Sequence, residues 1–478
     1  MKPSRGHVII FTAVVSVVSL YFFNVYHHLF ENVEIKPVEA WVVAPFVLLL
    51  AAIAVAPFIN RHWWEHHYPK VSYALGALIV LYYIFVLENV PRLLLTFHEY
   101  ISFISLIGSL FVVAGGINLR IKGTSAPYEN VILLSVGAVI SNLLGTTGAS
   151  MLLIRPYLRV NKHRIRPYHV IFFIFIVSNI GGALTPIGDP PLFLGYLKGV
   201  PFFWVVGKVW EAWLIAVVAV IAVFYVIDRY YFKKESLEQQ QKDIVPEQWE
   251  ASGLHNVFFL AMILGSVFIE HPTMLREVIM WTAALGSYYT TKKEVHEKND
   301  FNFIPIKEVA ILFAGIFATM IPALDWLELN SQALGIVTTG QYFWGTGVLS
   351  SFLDNAPTYL NFLSAAFGLH GASVDNLAHM HVMLGIATTE SLGLTNPLQP
   401  GAALLTPETW RYVQAISLGA VFFGANTYIG NGPNFMVKSI AEQAKVEMPS
   451  FFGYIVKYSV PVLVPIFIIV WYLFFTSS

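Results

Sequence analysis

The chain has no cysteine and little charge. None of its 478 residues is Cys, and 12% are Asp, Glu, Lys or Arg, about half of the roughly 25% found in ordinary soluble domains. The absence of Cys excludes disulfides and thiol chemistry. The net charge is -1 and the bases are scattered, so no basic stripe could follow a nucleic-acid backbone. We therefore expect no nucleic-acid partner.

Long apolar runs make up much of the rest. Hydrophobic residues account for 56% of the chain, and the mean hydropathy is +0.64. Several runs approach the roughly 20 residues that cross a hydrocarbon core, namely 7–21, 41–59, 71–87, 213–227 and 451–475. No small-residue cleavage site follows the first run, so it is interpreted as a span and not as a signal peptide. The composition predicts an all-α polytopic membrane protein that is solvated by lipid.

Basic residues predict how the first half crosses the membrane, because Lys and Arg collect in cytoplasmic loops. With Lys2 and Arg5 inside, successive runs alternate sides as far as Arg120. The next run, 129–154, is followed by a loop with five bases and no acid, so both of its ends look cytoplasmic. We predict a re-entrant hairpin that bends at 145–148, with its tip buried in protein or beside water.

The second half shows the opposite arrangement. Residues 322–410 contain no Lys or Arg, and within them the apolar run 342–367 is interrupted by Asp354, Asn355 and Pro357. This pattern predicts a second hairpin, which enters from the outside. The chain thus divides into an N-terminal half, 1–228, a cytoplasmic linker, 229–254, and an inverted C-terminal half, 255–478.

Each half also contains a span with helix breakers near its middle. The span 169–197 holds Gly181, Gly182, Pro186 and Gly188 before Asp189, and the span 411–438 holds an equally Gly-rich stretch. Ile187-Gly188-Asp189 matches Ile429-Gly430-Asn431, so the repeat is visible in sequence. Two hairpins and two broken helices in inverted halves predict a secondary transporter.

The breakers predict an ion site near the membrane midplane. An unwound helix offers carbonyl oxygens to a hard cation such as sodium, and Ser, Thr and Asn side chains add further ligands. By eye, Ser141-Asn142 with Thr146 in the first hairpin aligns with Asp354-Asn355 and Thr358 in the second. We expect sodium at Asp189, Asn142, Asp354 and Asn355. The full set of candidate ion and proton ligands is Asp189, Asp354, Ser141, Asn142, Thr146, Ser178, Asn179, Thr185, Asn355, Thr358, Asn426, Thr427 and Asn431.

The two carboxylates suggest exchange of sodium for protons. Each acid inside a bilayer costs about 2.5 to 3.5 kcal/mol on insertion scales, so its presence beside helix breakers indicates a role. Desolvation favours the protonated carboxyl group and a bound cation favours the carboxylate, so one Asp can exchange a proton for sodium. The alternative is that Asp189 and Asp354 only cap half-helices.

These residues resemble the ion transporter superfamily, and most closely its NhaD-type sodium/proton antiporters. The most specific similarities are residues 178–191, with Pro186-Ile187-Gly188-Asp189, and the hairpin tip Phe352-Leu353-Asp354-Asn355-Ala356-Pro357-Thr358. The resemblance covers nearly the whole chain. It implies a bacterial inner-membrane antiporter of sodium ions and protons, a homodimer, and an elevator movement of the hairpins and broken helices. It implies no cofactor beyond the transported sodium.

One departure keeps a second hypothesis open. NhaD-type antiporters have an Asp-Asn pair at the first hairpin, whereas this chain has Ser141-Asn142. That version is closer to the Ser-Asn-Thr tips of sodium-coupled citrate and dicarboxylate carriers in the same superfamily. The alternative function is therefore sodium-coupled carboxylate transport, in which half-helix N-termini attract the anion. Other ions, or arsenite, remain further options.

A short zinc-protease pattern gives the only enzymatic alternative. His62-Trp63-Trp64-Glu65-His66 has the H-x-x-E-H spacing, which places both His side chains on one helix face. The segment lies at the end of a predicted span, where Trp, His and Arg are common, and no soluble domain surrounds it. We therefore expect a transporter and not an enzyme.

Overall fold

The structure is a computed structural model that describes residues 14, 16–18, 21, 33–120, 125–234 and 250–476. The predicted first span lies largely outside these residues, as does 235–249 of the predicted linker. In the described part, eight helices are long and apolar enough to cross a membrane. The prediction of an all-α polytopic membrane protein is confirmed.

Three long helices follow one another near the start of the described chain. Asn60 and Asn89 cap the second and third of them, and their side chains accept hydrogen bonds from the backbone N–H groups of Trp63 and Arg92. Such caps satisfy donors that a helix start leaves unpaired. The bounds are Ala44–Ile59 for α1, Arg61–Phe85 for α2 and Val90–Gly115 for α3, followed by strand β1 at Asn118–Arg120.

Helix α4, Pro127–Val160, reverses direction inside the protein. Its only non-helical residue is Gly145, with φ 72° and ψ 157°. The side-chain amides of Asn130 and Asn161 donate to each other at 2.9 and 2.8 Å. In a straight helix these residues would lie about 46 Å apart, at 1.5 Å per residue. Helix α4 is therefore two helical limbs joined at Gly145, the position at which the first hairpin was predicted to bend.

The first broken helix follows the first hairpin. Helix α5, Pro167–Ile176, ends before Ser178, a 3₁₀ turn covers Ile180–Leu184, and α6 runs over Pro190–Leu197. All residues of α5 from Tyr168 to Ile176 are buried, as expected for a helix that is apolar on every side. The long helix α7, Phe202–Phe232, packs against the hairpin and the 3₁₀ turn.

A short strand precedes the second half. Glu250–Ser252 forms β2, which pairs antiparallel with β1, and Arg229–Phe232 belongs to α7. Two segments at the ends of the predicted linker, 229–232 and 250–252, thus belong to regular elements. The helices that follow are Asn256–Ser266 for α8, Leu275–Thr290 for α9, Lys293–Lys298 for α10 and Ile304–Asn330 for α11.

A second hairpin and a second broken helix complete the fold. Helices α12, Thr339–Phe352, and α13, Asn355–Leu369, turn back on each other, since Tyr342 and Phe362 have ring centroids 6.2 Å apart. Helix α14 covers Leu377–Met383. Helix α15, Trp410–Phe423, breaks at 424–431 before α16, Gly432–Gln443. The chain ends with α17, Phe451–Tyr454, a π-helical stretch, Ile455–Leu463, and α18, Val464–Phe475.

Matching contacts give the register of the two halves. Thr185 donates to the backbone oxygen of Asn142 at the first hairpin, and Thr427 donates to the backbone oxygen of Ser351 at the second. Since Thr185 and Thr427 hold the same place in the broken helices, Asn142 corresponds to Ser351. Thr146 then corresponds to Asn355. The alignment of Ser141-Asn142 with Asp354-Asn355 by eye was therefore wrong by four residues, about one helical turn.

Candidate functional site

The carboxylate of Asp189 lies where both hairpins and both broken helices meet. Its Oδ1 accepts hydrogen bonds from Thr146 Oγ1 at 2.7 Å and from Asn431 Nδ2 at 2.9 Å, and its Oδ2 accepts from Asn355 Nδ2 at 2.6 Å. The side chain is fully buried. Three residues that are far apart in sequence therefore donate to one carboxylate.

Close backbone contacts bring Asp189 to this position. A Cβ on Gly188 would collide with the carbonyl oxygen of Gly182, and a Cβ on Gly182 would lie 2.5 Å from the Thr146 methyl group. Thr146 N–H in turn donates to the Gly188 carbonyl at 2.8 Å. Glycine is required here because the two stretches of backbone touch. Pro190 then starts α6, where its missing N–H is not needed.

Asn142 holds the first broken helix onto the first hairpin. Its Nδ2 donates to the carbonyls of Gly181 at 2.6 Å and Ala138 at 2.8 Å. Its Oδ1 accepts from the N–H groups of Leu184 at 3.0 Å and Thr185 at 3.2 Å. Both ends of the amide are used to satisfy backbone groups that the break exposes. Asn142 therefore has a clear positioning role, and its role as a sodium ligand stays a prediction.

The second broken helix is held in the same manner. Asn426 Nδ2 donates to Ser351 Oγ at 2.9 Å, and Asn434 Nδ2 donates to the carbonyls of Gly424 at 2.8 Å and Thr427 at 2.9 Å. Asn434 also accepts from Asn179 Nδ2 at 2.7 Å, which links the two halves. Sequence reasoning missed Ser351 and Asn434. The visible repeat could have identified Asn434, since it closes the Gly-rich stretch.

Asp354 lies next to the site but makes different contacts. Its carboxylate accepts from Ala356 N–H at 3.0 Å and so caps α13, whereas Asp189 makes no side-chain bond to the start of α6. The capping alternative therefore describes Asp354 and not Asp189. Asp354 also lines a cavity of about 290 Å³ that includes Asn355, Asn431 and Pro190.

A narrow second cavity reaches Asp189 itself. It shares Ile107, Phe111, Thr147 and Pro190 with the cavity beside Asp354. Neither lining includes a Lys or Arg side chain among the described residues. The two carboxylates therefore border adjoining spaces that offer oxygen atoms and no base, an environment suited to a proton or a hard cation.

The remaining predicted ligands mainly support the backbone. Ser141 and Thr358 donate to carbonyls within their own helices, at 2.9 Å to Ala138 and 2.9 Å to Asp354. The Ser178 hydroxyl pairs with that of Ser150 at 2.7 Å, and the Ser178 carbonyl accepts from Asn431 at 3.1 Å. Of the predicted set, only Thr146, Asn355 and Asn431 contact the Asp189 carboxylate through side chains.

The histidine pattern on α2 forms local contacts. Arg61 pairs with Glu65 at 2.7 Å, and the rings of His62 and His66 lie 4.4 Å apart. His66 Nδ1 contacts the carbonyl of His62 at 2.8 Å. In the described part of the chain, no group of three or more His, Cys, Asp or Glu side chains is placed to hold a metal ion.

Sequence comparison adds a family relationship to this geometry. The family model CitMHS_2, described as putative citrate transport, matches residues 35–475. No curated protein matches the chain. The matched region includes both hairpins, both broken helices and every residue around Asp189.

Proposed function

The chain belongs to the CitMHS_2 family of putative citrate transporters, and on this premise and the geometry of its site we propose that it exchanges sodium ions for protons across the membrane. Membership of the family makes it a multi-pass membrane transporter. The finer assignment rests on the environment of Asp189. The proposed exchange has two states of equal charge at that residue, one protonated and one bound to sodium.

The observation that carries the proposal is a buried carboxylate whose three side-chain donors are all neutral. Thr146, Asn355 and Asn431 stabilise the charged form by hydrogen bonds but do not neutralise it. A buried carboxylate without a cation is costly. Either a proton or a sodium ion removes that cost, and one excludes the other. Competition for one carboxylate is the chemistry that antiport requires.

Asp354 supplies a second carboxylate on the side of the larger cavity. Its neighbour Asn355 donates to Asp189, so a cation that reaches Asp354 lies close to the donors of Asp189. We propose that Asp354 attracts sodium into the site. The hairpins and broken helices would carry the ion by an elevator movement in a homodimer of the bacterial inner membrane, as the NhaD resemblance implies.

Transport by the purified protein in liposomes tests the proposal. A sodium chloride pulse should drive proton movement, read by a pH-sensitive dye inside the vesicles. Asp189→Asn should abolish this signal, because Asn cannot hold a proton and sodium alternately, and Asp354→Asn should abolish or strongly reduce it. Asp300→Asn, at an exposed carboxylate 78% accessible on its side chain, is the matched control and should retain exchange. Exchange by Asp189→Asn would contradict the assignment.

Citrate transport is the second candidate, and a specific observation favours it beside the family description. The cavity of about 290 Å³ is lined by the first residues of three helices, Pro190 of α6, Asn355 of α13 and Gly432 of α16. Helix N-termini carry partial positive charge and bind anions. An anionic carboxylate could bind there together with sodium, which would offset the charges of Asp189 and Asp354.

Labelled citrate separates the two candidates in the same vesicles. Proton movement with sodium alone, without citrate uptake, supports antiport. Sodium-dependent citrate uptake with no proton signal from sodium alone supports the carboxylate carrier and contradicts antiport.

A further inference from the structure

A second buried ion network lies away from Asp189. Arg92 of α3 pairs with Asp325 of α11 at 2.7 Å and with Asp375 at 2.7 Å. Lys198, which directly follows α6, pairs with Asp375 at 2.6 Å and with Glu99 of α3 at 2.7 Å. These side chains are at most 8% exposed. Charged groups buried so deeply in a membrane protein indicate a function.

The network joins the site-bearing elements to the surrounding helices. Lys198 directly follows the first broken helix and Asp375 follows the second hairpin, whereas Arg92, Glu99 and Asp325 belong to α3 and α11. The ion pairs Lys198–Glu99 and Asp375–Arg92 therefore connect the site-bearing elements to α3. Any movement of the hairpins and broken helices relative to α3 and α11 must break these bridges.

The network contains more acids than bases. Tyr83 donates to Asp325 at 2.7 Å, and Glu328, one turn further along α11 and 9% exposed, accepts from Val374 N–H at 3.3 Å. No ion pair to Glu328 occurs among the described residues. The four carboxylates of Glu99, Asp325, Glu328 and Asp375 thus face the two bases Arg92 and Lys198. Two negative charges stay uncompensated unless protons bind.

Two cavities give access to the carboxylates that have the weakest pairing. Glu328 borders a cavity of about 470 Å³, and Glu99 borders another of about 450 Å³. Among the described residues, Glu99 forms its ion pair with Lys198, and Lys198 also pairs with Asp375. The other titratable and charged groups that face these carboxylates are Tyr83, Arg92, Lys198, Asp325 and Asp375 in the network, His379 beside Glu328, and His98, Glu270, Arg276, Glu277 and His381 beside Glu99.

The network and the ion site lie toward opposite ends of the same helices. Arg92 precedes Phe111 of the site cavity by 19 residues on α3, and Ile306 of that cavity precedes Asp325 by 19 residues on α11, about 28 Å in each case. The charge distribution places the Arg120 end of α3 in the cytoplasm. The network therefore closes the outer side while the cavity beside Asp354 lies toward the inner side.

We propose that this network is a second proton-binding site, separate from Asp189, which binds protons on Glu328 and Glu99 when the site-bearing elements dock against α3 and α11. Docking buries the carboxylates, which then keep contact only with their cavities, so they take protons through these cavities from the outer solution, and opening returns the protons to it. A lower outer pH then favours the closed outer side. The proposal rests on the proposed function only in requiring that these elements move.

Infrared spectroscopy tests the protons directly. The variant Asp189→Asn/Asp354→Asn lacks the carboxylates of the ion site, and at neutral pH it should still show the carbonyl band of a protonated carboxylic acid. Adding Glu328→Gln and Glu99→Gln should remove that band, while the Gln amides keep the size and acceptor of the protonated acids. A band that survives both substitutions would overturn the proposal, whatever the transport assays show.

Labelling from the outer side tests whether protons on this network close the outer side. The chain has no Cys, so Thr147→Cys introduces a single thiol beside the ion site, and Leu404→Cys, in an exposed loop, corrects for thiol ionisation. Raising the outer pH should increase labelling at position 147 by an impermeant maleimide about fivefold or more, the lower end of coupling between protein sites. Glu328→Gln/Glu99→Gln should flatten this dependence. An unchanged pH dependence in that variant would refute the coupling.

Discussion

The hydrogen bonds of Asp189 come from three side chains that only the folded chain brings together. Thr146 and Asn355 hold corresponding positions in the two hairpins, and Asn431 corresponds to Asp189 itself in the second broken helix. The site is thus assembled from a repeat but contains one carboxylate at its centre. Because a single acid is present at that point, its replacement cannot be compensated by the other half.

Removing one donor should weaken sodium binding without abolishing it. A hydrogen bond to a charged group contributes about 1.5–3 kcal/mol, so Thr146→Val should lower the apparent sodium affinity about tenfold or more by destabilising the carboxylate form. Thr146→Ser keeps the hydroxyl group and should stay near the wild-type value. The measurement is the sodium concentration that gives half-maximal exchange. Equal values for Val and Ser would contradict the role given to the hydroxyl group.

Gly188 should be intolerant of even a methyl group. A Cβ added to Gly188 would collide with the carbonyl oxygen of Gly182, and overpacking of this kind costs about 1–3 kcal/mol. Gly188→Ala should therefore lower the thermal midpoint of the protein in detergent. Gly207→Ala is the control, because nothing lies within 4 Å of its added Cβ in α7; it should be neutral or stabilising by up to about 1 kcal/mol.

At the scale of elements, a polar network ties the open end of the first hairpin to α7. Asp228 of α7 pairs with Arg164 and accepts from Tyr168 at 2.7 Å and from Asn130 at 3.1 Å. Asn130 and Asn161 belong to the two limbs of α4 and bond each other. The network thus closes the limbs and anchors them to a long helix, which keeps the hairpin tip at the site.

Breaking this anchor should destabilise the protein strongly. Asp228→Leu leaves Arg164 buried without its carboxylate, and loss of one partner of a buried pair costs about 3–5 kcal/mol. Thermal unfolding in detergent measures the effect. Glu65→Gln breaks the Arg61 pair, whose side chains are 69% and 50% exposed, and should cost about 0–1 kcal/mol. Similar losses from the two variants would contradict the anchoring role.

For the whole molecule, the repeat is visible in complementary packing. Gly137 of the first hairpin faces Val177 of the first broken helix, and a Cβ added to Gly137 would lie 2.6 Å from a Val177 methyl group. In the second half the order is reversed: Thr346 of the second hairpin faces Gly419, and a Cβ added to Gly419 would lie 3.2 Å from the Thr346 Cβ. The register from Thr185 and Thr427 makes these pairs equivalent. Each interface therefore has one small and one larger residue, on opposite partners.

This exchange of size predicts a rescue. Gly137→Thr should destabilise the protein, since its side chain would meet Val177, and adding Val177→Gly should recover part of the loss because it recreates the pair Thr346 and Gly419. Thermal unfolding of the two single variants and the double variant gives the coupling between the sites, which for residues in contact is about 0.5–3 kcal/mol. Simple additivity of the two losses would argue against the equivalence.

The sequence by itself determined the class of protein and the parts of the site. Hydropathy required membrane helices, Gly and Pro required the two breaks, and the base distribution together with Gly145 predicted the first hairpin, because each of these effects acts within one segment of chain. The resemblance around Asp189 and Asp354 predicted a transporter of the ion transporter and citrate carrier kind, which the match to CitMHS_2 supports. The NhaD type and sodium/proton exchange stay proposals.

The tertiary structure alone decided which side chains meet. It brought Asn355 and Asn431 to the Asp189 carboxylate, and it showed that the Asn142 amide bonds to backbone groups. It also corrected the hairpin register by one helical turn, because shifting a helix by one turn changes nothing in its own hydropathy. It also paired Arg92 and Lys198 with acids from a stretch that contains no base. A charged side chain can be buried only with a partner, and these partners are up to hundreds of residues away in sequence. No local pattern in the sequence shows which residues will pair.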